Sequence, residues 1–282
     1  MMTERLNPLN DFLFLKVMGE KGNEEQLLGF LNAVLGRVAD NRLTSVEILE
    51  DRILTPEILG DKASILDVRS QTEDGTRVNI EVQLRNYGDM DRRSLFYWSK
   101  EYSRQIKGGE DYIDLPNVIA INIVGFRFIN SKNFHTCFHL WEDTEEDLIL
   151  TDALKIHFVD MVKFRKLGYI VTEGSGSFLD NPLNRWLTFF DKNSPEELLQ
   201  EVLKMDTAIK KAHDRTAFVT QDEAAMTEYL RREMALSDWT SGVNYAIREN
   251  NKEIARKLKA LGVPITHIVE STGLTEKQIN DL

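Results

Sequence analysis

The sequence predicts an α/β protein in which a mixed β-sheet is flanked by helices and followed by an all-helical C-terminal region. Two runs that alternate apolar and polar residues, 64–69 and 77–84, predict the arms of a β-hairpin. The run 117–124 is almost uniformly apolar and β-branched, which predicts a central strand covered on both faces. Beyond about residue 180 the pattern is helical to the end.

The elements of the first half follow one another in the order α-β-β-β-α-β. A helix is predicted over about residues 24–35 and a strand over about residues 45–54, and the hairpin supplies the second and third strands. Residues 91–107 contain neither glycine nor proline and predict the next helix. The buried strand completes this unit, whose acidic residues of interest lie on its second and third strands.

The hairpin loop determines which residues face each other. The glycine that ends the segment 73–75 suits the left-handed position of a three-residue loop with a bulge. Such a loop pairs Thr72 with Thr76 and sets Asp67 opposite Glu81. A two-residue Asp-Gly loop would shift the register by one residue and separate the two carboxylates onto opposite faces.

The three-residue loop gives the hairpin one apolar face and one polar face. We expect Leu66, Val68, Ile80 and Val82 to face a core, and Asp67, Glu81 and Gln83 to share the other side. Two facing carboxylates repel each other unless a cation lies between them, and hard oxygen ligands suit Mg²⁺ or Mn²⁺. The alternative is that these acidic side chains simply lie on a solvent-exposed face of the hairpin.

The predicted helix 91–107 is amphipathic. At about 100° per residue, one side gathers Leu95, Trp98, Tyr102 and Ile106, and the opposite side gathers Arg93, Tyr97, Lys100, Arg104 and Lys107. Cations with an aromatic residue among them, beside a pair of carboxylates, form a surface suited to a polyanion. The alternative is an ordinary solvated helix face, since acidic residues also flank this segment.

With these elements in this order, the chain resembles the PD-(D/E)XK nuclease superfamily and, more closely, the recombination-promoting nuclease (Rpn) family of putative transposases. The resemblance covers nearly the whole chain. Its motifs are the opening segment 10–16, the first-helix segment 30–36, the Glu-x-Gln strand 80–83, and the segments 96–102 and 108–112. Three positions depart from the pattern: Leu66 replaces a proline, Gln83 replaces the superfamily's lysine, and Leu15 replaces a frequent basic residue.

The resemblance implies a restriction-endonuclease-like fold and a DNA endonuclease dependent on Mg²⁺ or Mn²⁺, with low sequence specificity and a link to recombination or transposition. It implies Asp67 and Glu81 as metal ligands, with the Val82 carbonyl as a third. Gln83 would orient the attacking water without acting as acid or base. Asp11 is a candidate auxiliary acid, with a helix N-cap or turn role as the alternative. The alternative function is a catalytically degenerate nuclease fold that binds DNA or protein.

Composition restricts the remaining possibilities. The single cysteine, Cys137, excludes an internal disulfide and favours a reducing cytoplasm. No apolar run approaches the ~20 residues of a membrane-spanning helix, and no signal-peptide pattern is present. A net charge of −11 argues against indiscriminate DNA coating, so DNA binding should be local, to Arg93, Tyr97, Lys100 and Arg104. The sequence leaves the oligomeric state open, a homo-oligomer included.

We expect a nuclease-like domain over residues 1–180 and a helical region over residues 181–282. Ser237-Asp238 is a candidate helix start within this region, and Thr275 predicts the cap of a last short helix in a helix-turn-helix-like end. That end is interpreted either as a DNA-reading unit or as a packed helical hairpin for self-association.

His135, Cys137 and His139 alternate on one predicted strand. They would share a face, which is compatible with a zinc site, but no fourth ligand is apparent in the sequence. The alternative interpretation is an additional strand that extends the sheet.

Overall fold

The computed structural model describes residues 5–49, 68–106, 109, 111–145, 147–167 and 177–282. Leu66, Asp67 and Lys107 lie outside the described residues, as does the predicted first strand beyond residue 49. The chain divides into two compact units, Met1–Arg232 and Glu233–Leu282. The predicted domain boundary at residue 180 stays a prediction.

The described strands of the first unit form one mixed six-stranded sheet in the order β1-β2-β3-β4-β6-β5. They are β1 Val46–Leu49, β2 Val68–Thr72, β3 Arg77–Gln83, β4 Val118–Val124, β5 His135–Trp141 and β6 Ile149–Asp160. Strands β1, β2 and β3 pair antiparallel, β3, β4 and β6 pair parallel, and β5 runs antiparallel to β6 at the edge. This mixed sheet with its flanking helices confirms the predicted fold class.

The hairpin between β2 and β3 has the predicted three-residue loop. The Thr72 N–H donates to the Thr76 carbonyl at 3.0 Å, and Gly75 has the left-handed φ of 85° that this loop requires. Val68 therefore pairs with Ile80, and both are fully buried in the core. The predicted register is confirmed over the described part of the hairpin.

Helices cover both faces of the sheet. The described α-helices that lie wholly within the first unit are α1 Asp11–Met18, α2 Glu24–Val34, α3 Met90–Ser103, α4 Met161–Lys166, α5 Pro182–Phe190, α6 Glu196–Met205 and α7 Thr207–Val219. On one face, Phe14, Phe30 and Trp186 pack with the apolar residues of the hairpin and of β4. On the other face α3 packs through Met90 and Trp98. All seven residues of β4 are buried, which confirms its predicted central position.

Helix α3 does not bury the side that its apolar residues predict. Leu95 is 52 % exposed, whereas Ser94 and Glu101 are buried. Trp98 lies between these two sides and packs with its Nε1–H donating to the Val118 carbonyl at 2.9 Å. Beside the apolar residues of this sheet face lie the polar Arg69 and Asn122, which contact Glu101 and Ser94 of the helix.

The second unit contains the C-terminal part of α8 Glu223–Ala260, with α9 Ile265–Thr272 and α10 Glu276–Asn280. Ile268 and Ile279 pack with Ala255 in a small apolar core. Thr275 caps α10 as predicted, but Ser237-Asp238 does not begin a helix, because α8 continues through it. No described helix in either unit is long and apolar enough to cross a membrane.

Candidate active site

The carboxylate of Glu81 is buried at the end of β3 that follows the hairpin. Its side chain is 1 % exposed, and it is held by Arg93 of α3, whose Nη2 donates to Oε1 at 2.7 Å. The other oxygen, Oε2, accepts no hydrogen bond from any described residue. Burial raises the pKa of the Glu81 carboxyl, and the Arg93 guanidinium opposes that rise. One oxygen of a buried carboxylate is thus held by Arg93, and the other has no donor among the described residues.

Arg93 is positioned by its neighbours on α3 as well as by Glu81. Its guanidinium lies 5.7 Å from the ring centroid of Tyr97, one helical turn further along, in a cation–π contact. The Arg93 side chain is 20 % exposed, so it extends from the buried acid to the protein surface. Of the four predicted DNA-binding residues, the structure brings Arg93 into contact with the predicted catalytic acid.

Gln83 is the last residue of β3, two positions beyond Glu81. Its side-chain amide nitrogen donates to the Arg85 carbonyl at 2.8 Å, so the amide is directed toward the segment after the strand. Between the two, Val82 pairs with Ile123 of β4 and packs against the larger core. Side chains therefore alternate along β3 as the sequence predicts.

Asp67 lies outside the described residues, so the structure does not test its pairing with Glu81. Among the residues that are described, no group of three or more His, Cys, Asp or Glu side chains could hold a metal ion. The assignment of Asp67, Glu81 and the Val82 carbonyl as metal ligands stays a prediction.

A second arginine–glutamate pair anchors α3 to the sheet. The Nε and Nη2 groups of Arg69, on β2, both donate to Glu101 Oε2, at 3.1 and 2.5 Å, and both side chains are buried. Next to it, the hydroxyl of Ser94 lies 3.1 Å from Asn122 Oδ1 of β4. These contacts set the position of α3 and hence that of Arg93. Sequence reasoning missed Arg69 and Glu101; their charges alone do not distinguish a buried pair from two solvated residues.

The rest of the predicted basic surface lies further along α3. The Lys100 ammonium lies 5.7 Å from the ring centroid of Phe96, and Arg104 is exposed just after the helix ends. Neither forms an ion pair with another described residue. Their assignment as DNA-binding residues stays a prediction.

Asp11, the predicted auxiliary acid, is the first residue of α1. The helix is capped by the Asn10 side chain, which accepts from the Leu13 N–H at 3.3 Å. Asp11 instead forms an ion pair with Arg232, at 2.9 Å between Oδ2 and Nη1. The N-cap alternative for Asp11 is thus wrong by one residue, and its auxiliary role stays a prediction.

The strand that carries His135, Cys137 and His139 is the edge strand β5. His157 of β6 lies beside it, with Nδ1 at 3.0 Å from His135 Nε2 and Nε2 at 3.4 Å from the Cys137 sulfur. Burial, together with the charge of His135, lowers the pKa of His157 to about 3. The pairing of β5 with β6 confirms the predicted sheet extension.

The family model for PD-(D/E)XK nuclease family transposases matches residues 8–246 of the chain. No curated protein and no solved structure shows significant similarity to the chain. The matched segment spans the whole sheet, the hairpin with Glu81 and helix α3 with Arg93. It agrees with the resemblance found in the sequence motifs, and the chain therefore belongs to the PD-(D/E)XK nuclease family of transposases.

Proposed function

We propose that this protein is a metal-dependent DNA endonuclease that hydrolyses phosphodiester bonds with low sequence preference, in recombination or transposition. The observation that carries the proposal is the burial and hydrogen bonding of the Glu81 carboxylate. It is a buried carboxylate with one oxygen held by Arg93 and the other without a hydrogen-bond donor among the described residues. Burying such a charge is costly, and buried charges are usually paired or coordinate metals. Family membership independently supports a nuclease.

The residues at this end of β3 offer oxygen ligands that fit a hard divalent cation. Glu81 offers Oε2, the Val82 carbonyl follows it on the same strand, and continuing the register from Val68 and Ile80 by one pair would bring Asp67 opposite Glu81. All of these ligands are oxygens, as Mg²⁺ or Mn²⁺ prefers. When bound, such an ion polarises the phosphoryl group and lowers the pKa of its water.

The other groups of the chain bind and orient the substrate. Hydrolysis adds the hydroxyl of water to phosphorus, breaks the bond to the 3′-oxygen, and returns the water proton through solvent to that oxygen. Gln83, which is neither acid nor base, is proposed to orient the water through its amide oxygen, since its nitrogen is bonded to Arg85. Tyr97, Lys100 and Arg104 are proposed to bind the DNA along α3.

The direct test is incubation of the purified protein with supercoiled plasmid at several concentrations of Mg²⁺, Mn²⁺ or EDTA. We expect conversion to nicked and linear forms with either metal and none with EDTA. Sequencing of the cleaved ends should show 5′-phosphates and little base preference. A sample that binds DNA but leaves the plasmid intact under all metal conditions would contradict an endonuclease.

The second candidate is a catalytically degenerate nuclease fold that binds DNA or protein. The hydrogen bond between the Gln83 amide and the Arg85 carbonyl favours it, because the usual lysine of the superfamily is absent and the side-chain nitrogen of its replacement donates to the backbone. The same plasmid experiment separates the two candidates. DNA binding without cleavage at any metal concentration is the result expected of the degenerate fold.

Replacing Gln83 tests its positioning role. We expect Gln83→Ala to slow cleavage by about 10²-fold, in the range of acid–base and water-orienting groups. Gln83→Lys should keep measurable activity, because lysine is the usual occupant of this position in the superfamily. Single-turnover rates at saturating metal measure both effects. A folded lysine variant that binds metal but does not cleave would contradict the role given to this strand.

Neutralising Lys100 and Arg104 together tests the DNA-binding surface. Because phosphate contacts are independent of sequence, the double variant should weaken binding about equally for all duplexes. The log–log slope of affinity against salt should flatten by roughly two units. Binding titrations at several salt concentrations measure the slope, and Lys132→Gln with Arg127→Gln, on the segment after β4, serves as a charge-matched control. An unchanged slope in the Lys100/Arg104 variant would mean that DNA binds elsewhere.

A further inference from the structure

The two arginine–glutamate pairs between α3 and the sheet differ in burial and in how many N–H donors of the arginine bind the glutamate. Arg69 donates to Glu101 through both Nε and Nη2, and both side chains are deeply buried. Arg93 donates to Glu81 through Nη2 alone, and one fifth of its side chain (20 %) is exposed. The first pair has the geometry of a structural anchor. The second leaves Nη1 and Nε of the guanidinium without an acceptor among the described residues, next to a buried acid.

The unused donors of Arg93 are suited to an oxyanion. A guanidinium carries five N–H donors in a planar fork that matches carboxylate and phosphate oxygens. Among the described residues, Nη1 of Arg93 has no acceptor, and Nε is buried without one. The ring of Tyr97, 5.7 Å from the guanidinium, supports its orientation without using a donor. A phosphoryl oxygen would supply an acceptor that the described protein does not.

Gln83 does not supply a positive charge in this site. Its side chain is neutral, and its only donor group is bonded to the Arg85 carbonyl. Among the described residues, Arg93 is the cation in direct contact with Glu81. The Arg93 guanidinium comes from a helix rather than from β3. It contacts the Glu81 carboxylate, and its side chain is partly exposed to solvent.

We propose that Arg93 is the cationic catalytic residue of this site, in place of the lysine that is absent at position 83. Through Nη2 it fixes Glu81 Oε1, so that Oε2 is presented to the metal. Through Nη1, which has no acceptor among the described residues, it binds a non-bridging oxygen of the scissile phosphate, where negative charge develops as water adds and the 3′-oxygen departs. Arg93 neither gains nor loses a proton in the reaction. This inference rests on the proposed function.

A DNA strand that runs along α3 would meet a second cation of the same helix. Lys100 lies two helical turns beyond Arg93, about 10 Å along the axis, on the same side of the helix. A DNA backbone that runs along α3 can therefore place the scissile phosphate at Arg93 and a flanking phosphate near Lys100. The two cations then have different roles, chemistry for Arg93 and affinity for Lys100.

The test compares Arg93→Met with Arg92→Met, a matched change at the exposed neighbouring arginine. With saturating metal and DNA, we expect Arg93→Met to lower the single-turnover rate by about 10²–10³-fold, as for removal of a donor to developing charge. Arg92→Met should stay within about twofold. Without metal, anisotropy titrations of duplex DNA should show a salt slope flatter by about one unit for Arg93→Met. A small guanidinium compound added to Arg93→Ala should restore part of the rate, whereas urea should not.

The outcomes separate this inference from the proposed function. A wild-type protein that cleaves no DNA with any metal overturns both. A cleaving wild type with an Arg93→Met variant that matches Arg92→Met in rate and salt slope overturns the inference alone. If Arg93→Met does not fold, Arg93→Lys retains a charge beside Glu81; it should keep the wild-type slope but lose at least about tenfold in rate, because one ammonium cannot replace the planar fork. A lysine variant as fast as wild type overturns the role of the guanidinium.

Discussion

Asp67→Ala should abolish metal-dependent nicking of supercoiled DNA while leaving the protein folded. The hairpin register pairs Val68 with Ile80, so the next pair outward would bring Asp67 opposite Glu81. A metal held by these two carboxylates loses a charged ligand in the variant, and the remaining oxygens cannot replace it. The melting temperature in EDTA should be unchanged or higher, because removing one of two like charges relieves repulsion in the metal-free state. Plasmid nicking and thermal unfolding, measured on the same sample, check both statements.

The control for this change is Asp152→Ala, which removes an exposed aspartate from β6 of the same sheet. It should cleave DNA at the wild-type rate. Titration calorimetry with Mn²⁺ adds a readout independent of turnover, and we expect binding to wild type and to Asp152→Ala but not to Asp67→Ala. Metal-dependent cleavage by a pure Asp67→Ala sample would remove Asp67 from the site.

The parts of the fold that the sequence predicts are those governed by local rules. Only a left-handed residue closes the three-residue loop after Thr72, and glycine at position 75 provides it. Once the loop is fixed, the period of two along a strand determines every partner in the hairpin. Strand β4 also follows from a local pattern, because a short run that is almost uniformly apolar and β-branched favours a strand buried on both faces.

Helix α3 shows where local rules fail. Its apolar residues predict a buried side that includes Leu95, yet the structure exposes Leu95 and buries Glu101. The buried side is chosen by partners on distant strands, since Arg69 and Asn122 offer polar groups that Glu101 and Ser94 can satisfy. Sequence periodicity carries no information about such partners. The same limit applies to Ser237-Asp238, which has the residues of a helix cap but lies within α8.

In the candidate site, the residues on the strand can be predicted from the sequence, but their contacts with the helix cannot. Glu81 and Gln83 follow from the strand pattern and from the family resemblance, because both depend on neighbours in sequence. The contact between Glu81 and Arg93 does not, since twelve residues and a change from strand to helix separate the two. The sequence groups Arg93 with Lys100 and Arg104 as one basic surface. The structure separates them, with Arg93 on the buried acid and Arg104 exposed.

Arg69→Met should be among the most destabilising single changes in the protein. Arg69 and Glu101 are both buried, and their side chains are only 8 % and 6 % exposed. Losing the guanidinium leaves the Glu101 carboxylate inside the protein without that cation, and breaking a buried pair in this way costs about 3–5 kcal/mol. We expect a loss of this size in the free energy of unfolding of the first unit. Urea denaturation followed by tryptophan fluorescence measures it.

Two further variants assign the cause of that loss. In Arg69→Met/Glu101→Leu no charge is left behind, and apolar replacements of buried ion pairs are often neutral or stabilising, so stability should return to within about 1–2 kcal/mol of wild type. Lys211→Met breaks the exposed pair with Glu25 and should cost no more than about 1 kcal/mol. The double variant should also cleave DNA, because an apolar contact between the two replacement side chains keeps α3, and with it Arg93, in place on the sheet. A single variant as stable as wild type would show that the pair does not anchor the helix, and the position of Arg93 would then need another cause.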